Sequence, residues 1–290
     1  MNFDALWDYR NPQGTEEKFL ECIAELSIHE DNTLLPQLYT QLARCRSLQK
    51  DEQGCLEYLQ KAFDITETLD LVQARLPLIR YYLERGRLLN ILLLEDRGKA
   101  DFLNAWKLSR EFGFDFYAVD AAHMLGIICP PDEALEWNTI AMDFAEQSDD
   151  MHAKSWLGAL YNNIGWTYHA RNEFSAALHC FMKDETWYRE RGRKEEALIA
   201  KWSAAKMLRL LNRVDEALAE LYLIADERKA LSLANDGYLS EEIGECLLAK
   251  GKIDESTPFF SSAYEILSED PWMIQSQTSR LERLKMLGKI

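Results

Sequence analysis

Residues 160–181 read LYNNIGWTYHARNEFSAALHCF. Tyr161, Ile164, Gly165 and Tyr168 fall at helical spacing, and Ala177 and Phe181 resume the pattern beyond the polar break ARNEFS. Asn162, Trp166 and His169 are left over at i, i+4 and i+7, a second helical stripe, with Asn163 beside it. The first set reads as two helices that approach closely at small residues. The second set reads as candidate contacts. The balance between scaffold and site depends on whether the stretch recurs.

It does recur. AKWSAAKMLRLLNRVDEALAEL (200–221), SEEIGECLLAKGKIDESTPFF (240–260), AVDAAHMLGIICPPDEALEWN (118–138) and LYTQLARCRSLQKDEQGCLEYL (38–59) carry the same offsets. Each supplies one small residue in its first half (Ala43, Ala122, Gly165, Ala205, Gly244) and another in its second (Cys55, Ala134, Ala177, Ala217, Ser256). Asn, Gly, Pro and Asp between the halves stop one helix and start the next. Residues 74–112 hold a further copy whose register the pattern leaves open. The second-half residues Ala134, Ala177, Ala217 and Ser256 recur at intervals of 43, 40 and 39 residues.

The best copy, Tyr161-x₂-Ile164-Gly165-x₂-Tyr168 followed by Ala177 and Phe181, resembles the tetratricopeptide repeat (TPR) family, whose pattern is W-x₂-L-G-x₂-Y with Ala and an aromatic in a second helix. The resemblance covers roughly residues 33–270. It departs from the family's period of about 34 residues by roughly six, which implies longer helices. The fold it implies is all-α: an α-solenoid, a right-handed superhelix of stacked antiparallel helix pairs. The expected organisation is an N-terminal capping segment over 1–32, with Thr15 as N-cap of a helix over 15–26, about six hairpins over 33–270, and a C-terminal capping helix over 271–290. That last helix either caps one chain or pairs two.

The net charge of −16 argues against a nucleic-acid partner, since phosphates need a basic face. The six cysteines form no C-x-x-C pair and sit in apolar helical pattern, as in a reduced, cytoplasmic chain. The opening MNFDALWDYRNPQG lacks the basic-then-apolar run of a secretory leader. The longest apolar run, LLNILLL at 88–94, is too short for a bilayer. H-E-x-x-H, G-x-S-x-G, G-x-G-x-x-G and phosphate-loop patterns are absent. His179 and Cys180 are adjacent and point about 100° apart, so they make no nucleophile pair. His123 and His169 lack a third metal ligand. No enzyme activity, cofactor or metal is expected.

In TPR proteins the first helix of each pair lines the concave surface, and the resemblance places the leftover stripe there. Equivalent residues in the other copies are Trp202, Lys206 and Arg209; Glu241, Glu245 and Leu248; Val119, His123 and Gly126; Thr40, Arg44 and Ser47. A neighbouring position is polar in all five copies: Gln41, Asp120, Asn163, Ser203 and Glu242. Several TPR proteins use an asparagine at the place of Asn163 to hold a peptide backbone, so the resemblance implies that role for Asn163. The candidate groove therefore comprises Arg44, His123, Asn162, Asn163, Trp166, His169, Trp202, Lys206, Arg209 and Tyr238. Its middle would take an extended acidic peptide or a C-terminal carboxylate, with the aromatics as anchors. The lysine–asparagine carboxylate clamp of chaperone-binding TPR proteins is not reproduced. Polar, charge-balanced residues on a watered face would explain the same pattern without a ligand. The leading expectation is a non-catalytic interaction scaffold. The alternative is a peptide-controlled sensor, weighed against by the roughly 32 residues before the first repeat, too few for a helix-turn-helix module.

Overall fold

A computed structural model describes residues 3–26 and 33–290; residues 1–2 and 27–32 of the expected N-terminal segment lie outside the described residues. The chain divides into two compact units, Met1–Trp156 and Leu157–Ile290. The first contains a 3-10 turn, Phe3–Leu6, then α1 (Pro12–Leu26), α2 (Leu34–Leu48), α3 (Glu52–Thr66), α4 (Arg75–Ile91), α5 (Glu95–Phe112), α6 (Asp115–Ile128), α7 (Pro131–Gln147) and α8 (Met151–Lys154). The second contains α9 (Leu157–Ala170), α10 (Phe174–Glu190), α11 (Lys194–Leu210), α12 (Val214–Ala230), α13 (Gly237–Ala249), α14 (Ile253–Leu267), α15 (Pro271–Ser276) and α16 (Thr278–Gly288). Among the described residues there is no strand.

Helices pair as hairpins: α2 with α3, α4 with α5, α6 with α7, α9 with α10, α11 with α12 and α13 with α14. Within each unit the second helix of one pair packs on the first helix of the next, as α3 on α4, α5 on α6, α10 on α11 and α12 on α13. The two stacks are α-solenoid in architecture.

One contact rule builds the hairpins. A small residue in the first helix faces a larger one sixteen positions on in the second. The ring of Phe102 lies on Gly86, Phe181 on Gly165 and Phe260 on Gly244, so close that a Cβ on these glycines would come within 2.6, 2.7 and 3.0 Å of the rings. All three rings are fully buried. Ala43 with Leu59 and Ala205 with Leu221 hold the same places. Gly86 and Phe102 fix the register over 74–112 that sequence pattern left open. The α6–α7 hairpin departs: Ala122 is matched by Asn138, whose Nδ2 donates to the Ala134 carbonyl at 2.9 Å and whose Oδ1 lies 3.3 Å from His123 Nδ1. An amide replaces the apolar filler there, and it is buried only because both its ends are bonded.

Five of the six hairpin turns place one residue in the left-handed region two positions before the next helix: Lys50, Leu93, Asn172, Asn212 and Gly251. A Cβ is unfavourable there, by about 1 kcal/mol or more. Leu93, at φ 58°, is 81% exposed, so its side chain returns little. Leu93→Gly is therefore expected to raise stability by roughly 1 kcal/mol in a urea melt of the folded chain. A lower midpoint would show that the leucine makes a compensating contact.

Two ends differ from expectation. The first helix begins at Pro12, not after Thr15: Asn11 Oδ1 accepts from the Gly14 N–H at 3.0 Å and is the cap. Thr15 is buried one turn in, where its hydroxyl accepts from the Asp8 N–H at 3.1 Å and donates to the Asn11 carbonyl. This bond ties the preceding segment to α1. At the other end, residues 272–288 form two helices rather than one, broken at Gln277 (φ −130°, ψ 32°). The break lets α16 turn back onto α14, with Leu281 and Leu284 against Phe260.

Candidate functional site

In the first unit α2, α4 and α6 lie side by side. One stripe of each faces the same space: Gln41 and Arg44 from α2; Arg80, Leu83, Glu84 and Arg87 from α4; Phe116, Tyr117 and Asp120 from α6. The spacing of the α4 residues, i, i+3, i+4 and i+7, makes them one helical face. His152, Ser155 and Trp156, following α7, close one side, and Asp4, Trp7 and Tyr9 close the other. Together they line a half-open cavity of about 830 Å³.

The walls are aromatic and the floor is charged. Arg87 is bonded to Glu84 and, at 2.6 Å, to Asp120. Arg80 is 4% exposed and holds Asp4 through both terminal guanidinium nitrogens, Nη1 at 2.9 Å. Its guanidinium also lies over the rings of Phe3 (5.1 Å) and Tyr117 (5.0 Å). Loss of water pushes the Tyr117 hydroxyl up to about 12, so it is a neutral donor. Arg44 is the loosest of the three cations, 3.9 Å from Glu84 and partly exposed. Tyr9 is stacked on Trp7 at 4.7 Å. It is 65% exposed as a residue, yet its hydroxyl reaches the charged floor, where loss of water and then the Glu84 carboxylate raise its pKa.

Of the residues singled out in the sequence, Arg44 lines this cavity. His123 lies behind it, its ring 5.2 Å from Trp156, and burial lowers its pKa, leaving it neutral near pH 7. The remaining eight lie in the second unit. Trp166, Trp202 and Tyr238 form a half-buried row with ring centres 6.2 and 6.1 Å apart. The Trp202 indole N–H donates to the Tyr238 carbonyl at 3.1 Å. His169 packs on Trp166 at 5.2 Å, and burial followed by the nearby Lys206 charge lowers its pKa. Asn163 is exposed and Asn162 half-buried, with the Asn162 amide 3.5 Å from Asn163 Oδ1.

Two sequence expectations are corrected. Arg209 is not open to a ligand carboxylate, because it is bonded to the buried Glu242, which Lys206 also approaches, more loosely, at 3.8 Å. Glu241 and Glu245, on the equivalent stripe of α13, are paired as well: Glu241 is held by Arg280 at 2.8 Å and Glu245 by Arg283. Each acid lies a repeat or so away from its base, 33 to 39 positions, and spacing within one helix carries no information about that pairing. The polar position expected to face water is buried in four of five copies, Gln41, Asp120, Ser203 and Glu242, each hydrogen-bonded. Asn163 is the exposed member. The residues that sequence reasoning missed are Asp4, Trp7, Arg80 and Arg87. Their partners lie 34, 76 and 33 positions away, and no local pattern marks them.

Among the described residues the six cysteines are buried and none is in a disulfide, and no three His, Cys, Asp or Glu side chains are grouped to hold a metal ion. No helix of the described residues is long and apolar enough to cross a membrane.

The chain matches no family model and no curated protein sequence. Solved structures resemble it over most of its length. A signal transduction ATPase with numerous domains from Pyrococcus horikoshii, which carries a tetratricopeptide repeat sensor, aligns over 94% of this chain at 14% identity and TM-score 0.73. The aligned part is 42% of that protein's length. BtubC from P. vanneervenii aligns over 79% of this chain and 94% of its own at 15% identity and TM-score 0.61. Aspartyl phosphate phosphatase F from Bacillus subtilis aligns over 89% and 74% at 12% identity and TM-score 0.53. The fold is that of tetratricopeptide repeat proteins.

Proposed function

We propose that the chain is a non-catalytic interaction module that holds an extended segment of a partner protein against its first-helix faces. The carrying observation is the cavity of the first unit. Side chains from three successive first helices converge on one space of about 830 Å³, with aromatic walls and guanidinium groups at its floor. Such a lining suits a peptide that brings an aromatic anchor and a carboxylate. Arg44, with its loose ion pair, is the cation best able to take a new carboxylate. In the second unit the Trp166–Trp202–Tyr238 row, with Asn162, Asn163 and His169 beside it, offers a second contact surface of the same aromatic and amide character.

A sensing role, in which the bound segment alters a second interaction, is the other reading. Its support is the likeness to a protein whose repeats are described as a sensor.

Native-lysate capture tests the proposal. Wild type is compared with Arg44→Ala/Trp156→Ala in the first unit and Asn163→Ala/Trp166→Ala in the second, each of confirmed helicity. A partner held by wild type should be lost, or bound about tenfold or more weakly, by the first-unit variant. A partner retained equally by both variants would put the working surface elsewhere. Scattering with the captured partner's peptide then separates scaffold from sensor, since a sensor changes dimensions on binding.

A further inference from the structure

One wall of the first-unit cavity is itself a peptide, the chain's own residues 3–10. This segment lies against the first helices, not beside its sequence neighbours alone. Asp4 is bound by Arg80 of α4, 76 positions away. The Trp7 indole N–H donates to Gln41 Oε1 of α2 at 2.9 Å. Tyr9 stacks on Trp7 and puts its hydroxyl over the charged floor. These contacts are made by side chains, a carboxylate on a guanidinium and an indole on an amide, the type by which a short linear peptide is recognised.

Two features say that the contact is exchangeable and that its chemistry is fixed. The segment is anchored at one end by Phe3, which is buried against Phe19, and at the other by the Asp8–Thr15 bond. Within the segment, Asp4, Ala5, Asp8, Tyr9 and Arg10 are exposed. Arg80 is the opposite case. It is almost wholly buried, and Asp4 is the carboxylate bonded to it. A buried guanidinium stripped of its counter-ion is strongly unfavourable. Whatever displaces the segment must therefore bring a carboxylate to Arg80.

Resting on the interaction reading above, we infer that residues 3–10 are an internal stand-in for the partner. The first-helix face around Gln41 and Arg80 takes a peptide with a carboxylate followed three residues later by an aromatic, and residues 3–10 cover that face in cis. Partner binding is then an exchange. The high local concentration of the tethered segment sets the threshold that a partner must exceed.

The test uses the full chain and a labelled synthetic peptide, NFDALWDYR, corresponding to residues 2–10. Binding is measured by fluorescence anisotropy to wild type and to Asp4→Ala/Trp7→Ala. The milder pair Asp4→Asn/Trp7→Phe, which removes the charge and the indole N–H but keeps an aromatic ring, is measured alongside in case the first variant loses helicity. The released chain should bind the peptide at least tenfold more tightly than wild type does. Binding should fall at least tenfold when the peptide's own carboxylate equivalent to Asp4 is replaced by an amide. Equal affinity for wild type and released chain, or no binding to a folded released chain, overturns the inference. The broader reading fails differently. If neither wild type nor released chain retains a lysate partner, the interaction role is lost. If both retain one equally, cis occupancy alone is lost.

Discussion

Phe181→Ala is expected to destabilise the second unit by about 3–5 kcal/mol, measured by urea unfolding followed through helical circular dichroism. The ring is fully buried between α9 and α10 and rests directly on the Gly165 backbone. Truncation removes its apolar burial and leaves a void that close-packed helices fill poorly. The void cannot be filled from the other side, since Gly165 has no side chain. Trp166, edge-on to Phe181 at 5.1 Å, loses its backing as well, so the aromatic row should loosen and its tryptophan emission shift to the red. The converse change, Gly165→Ala, should also destabilise, by about 1–3 kcal/mol, because the added Cβ would overlap the ring. A midpoint within experimental error of wild type for Phe181→Ala would contradict the sixteen-residue contact rule itself.

A change one turn along the same helix is expected to act in the opposite direction. Asp184 is 2% exposed, its Oδ1 has no hydrogen-bond partner, and burial pushes its carboxyl up to about 7. The equivalent positions, three residues beyond each filler, are Ala62, Ala105, Ala141, Ile224 and Ala263, apolar throughout. Because the folded chain keeps the proton up to pH of about 7 while the unfolded chain releases it near 4, unfolding releases a proton between these values. The contribution of Asp184 is thus most favourable below pH of about 4, declines as pH rises through about 7, and is flat above. Three units at about 1.4 kcal/mol each set an upper bound of roughly 4 kcal/mol. Asp184→Ala should therefore raise stability by roughly 2–4 kcal/mol at pH 8 and by much less at pH 4.5. The difference between variant and wild type at the two pH values isolates this group from the other carboxylates. A constant difference would mean that Asp184 stays charged in the folded chain.

Much of the fold is written in short-range pattern. The small residues Ala43, Ala122, Gly165, Ala205 and Gly244, the turns that follow them and the fillers Phe181, Leu221 and Phe260 are readable from order along the chain. They act within one hairpin, where helical periodicity fixes which side chains meet. Gly86 with Phe102 obeys the same rule but escaped notice, because the apolar run around 88–94 blurs the stripe. Asn138 and Asp184 also escaped, since each puts a polar group where the repeat demands an apolar one. Periodicity identifies the position and says nothing of how a misfit is accommodated.

The site is legible only in part. Sequence pattern singles out Arg44, Asn163, Trp166, Trp202 and Tyr238 as first-helix residues on a common stripe. It gives no sign that Arg209 is spent on Glu242, that Glu241 answers Arg280, or that Asp4 and Trp7 fold back onto Arg80 and Gln41. The reason is physical. Helix formation and hairpin packing depend on neighbours a few to sixteen residues away, whose relative angles the helix itself dictates. Ion pairs between hairpins and the docking of residues 3–10 depend on the angle and offset at which one helix pair stacks on the next. Many stackings satisfy the same periodicity, and the identity of each charge's partner exists once one of them has been adopted.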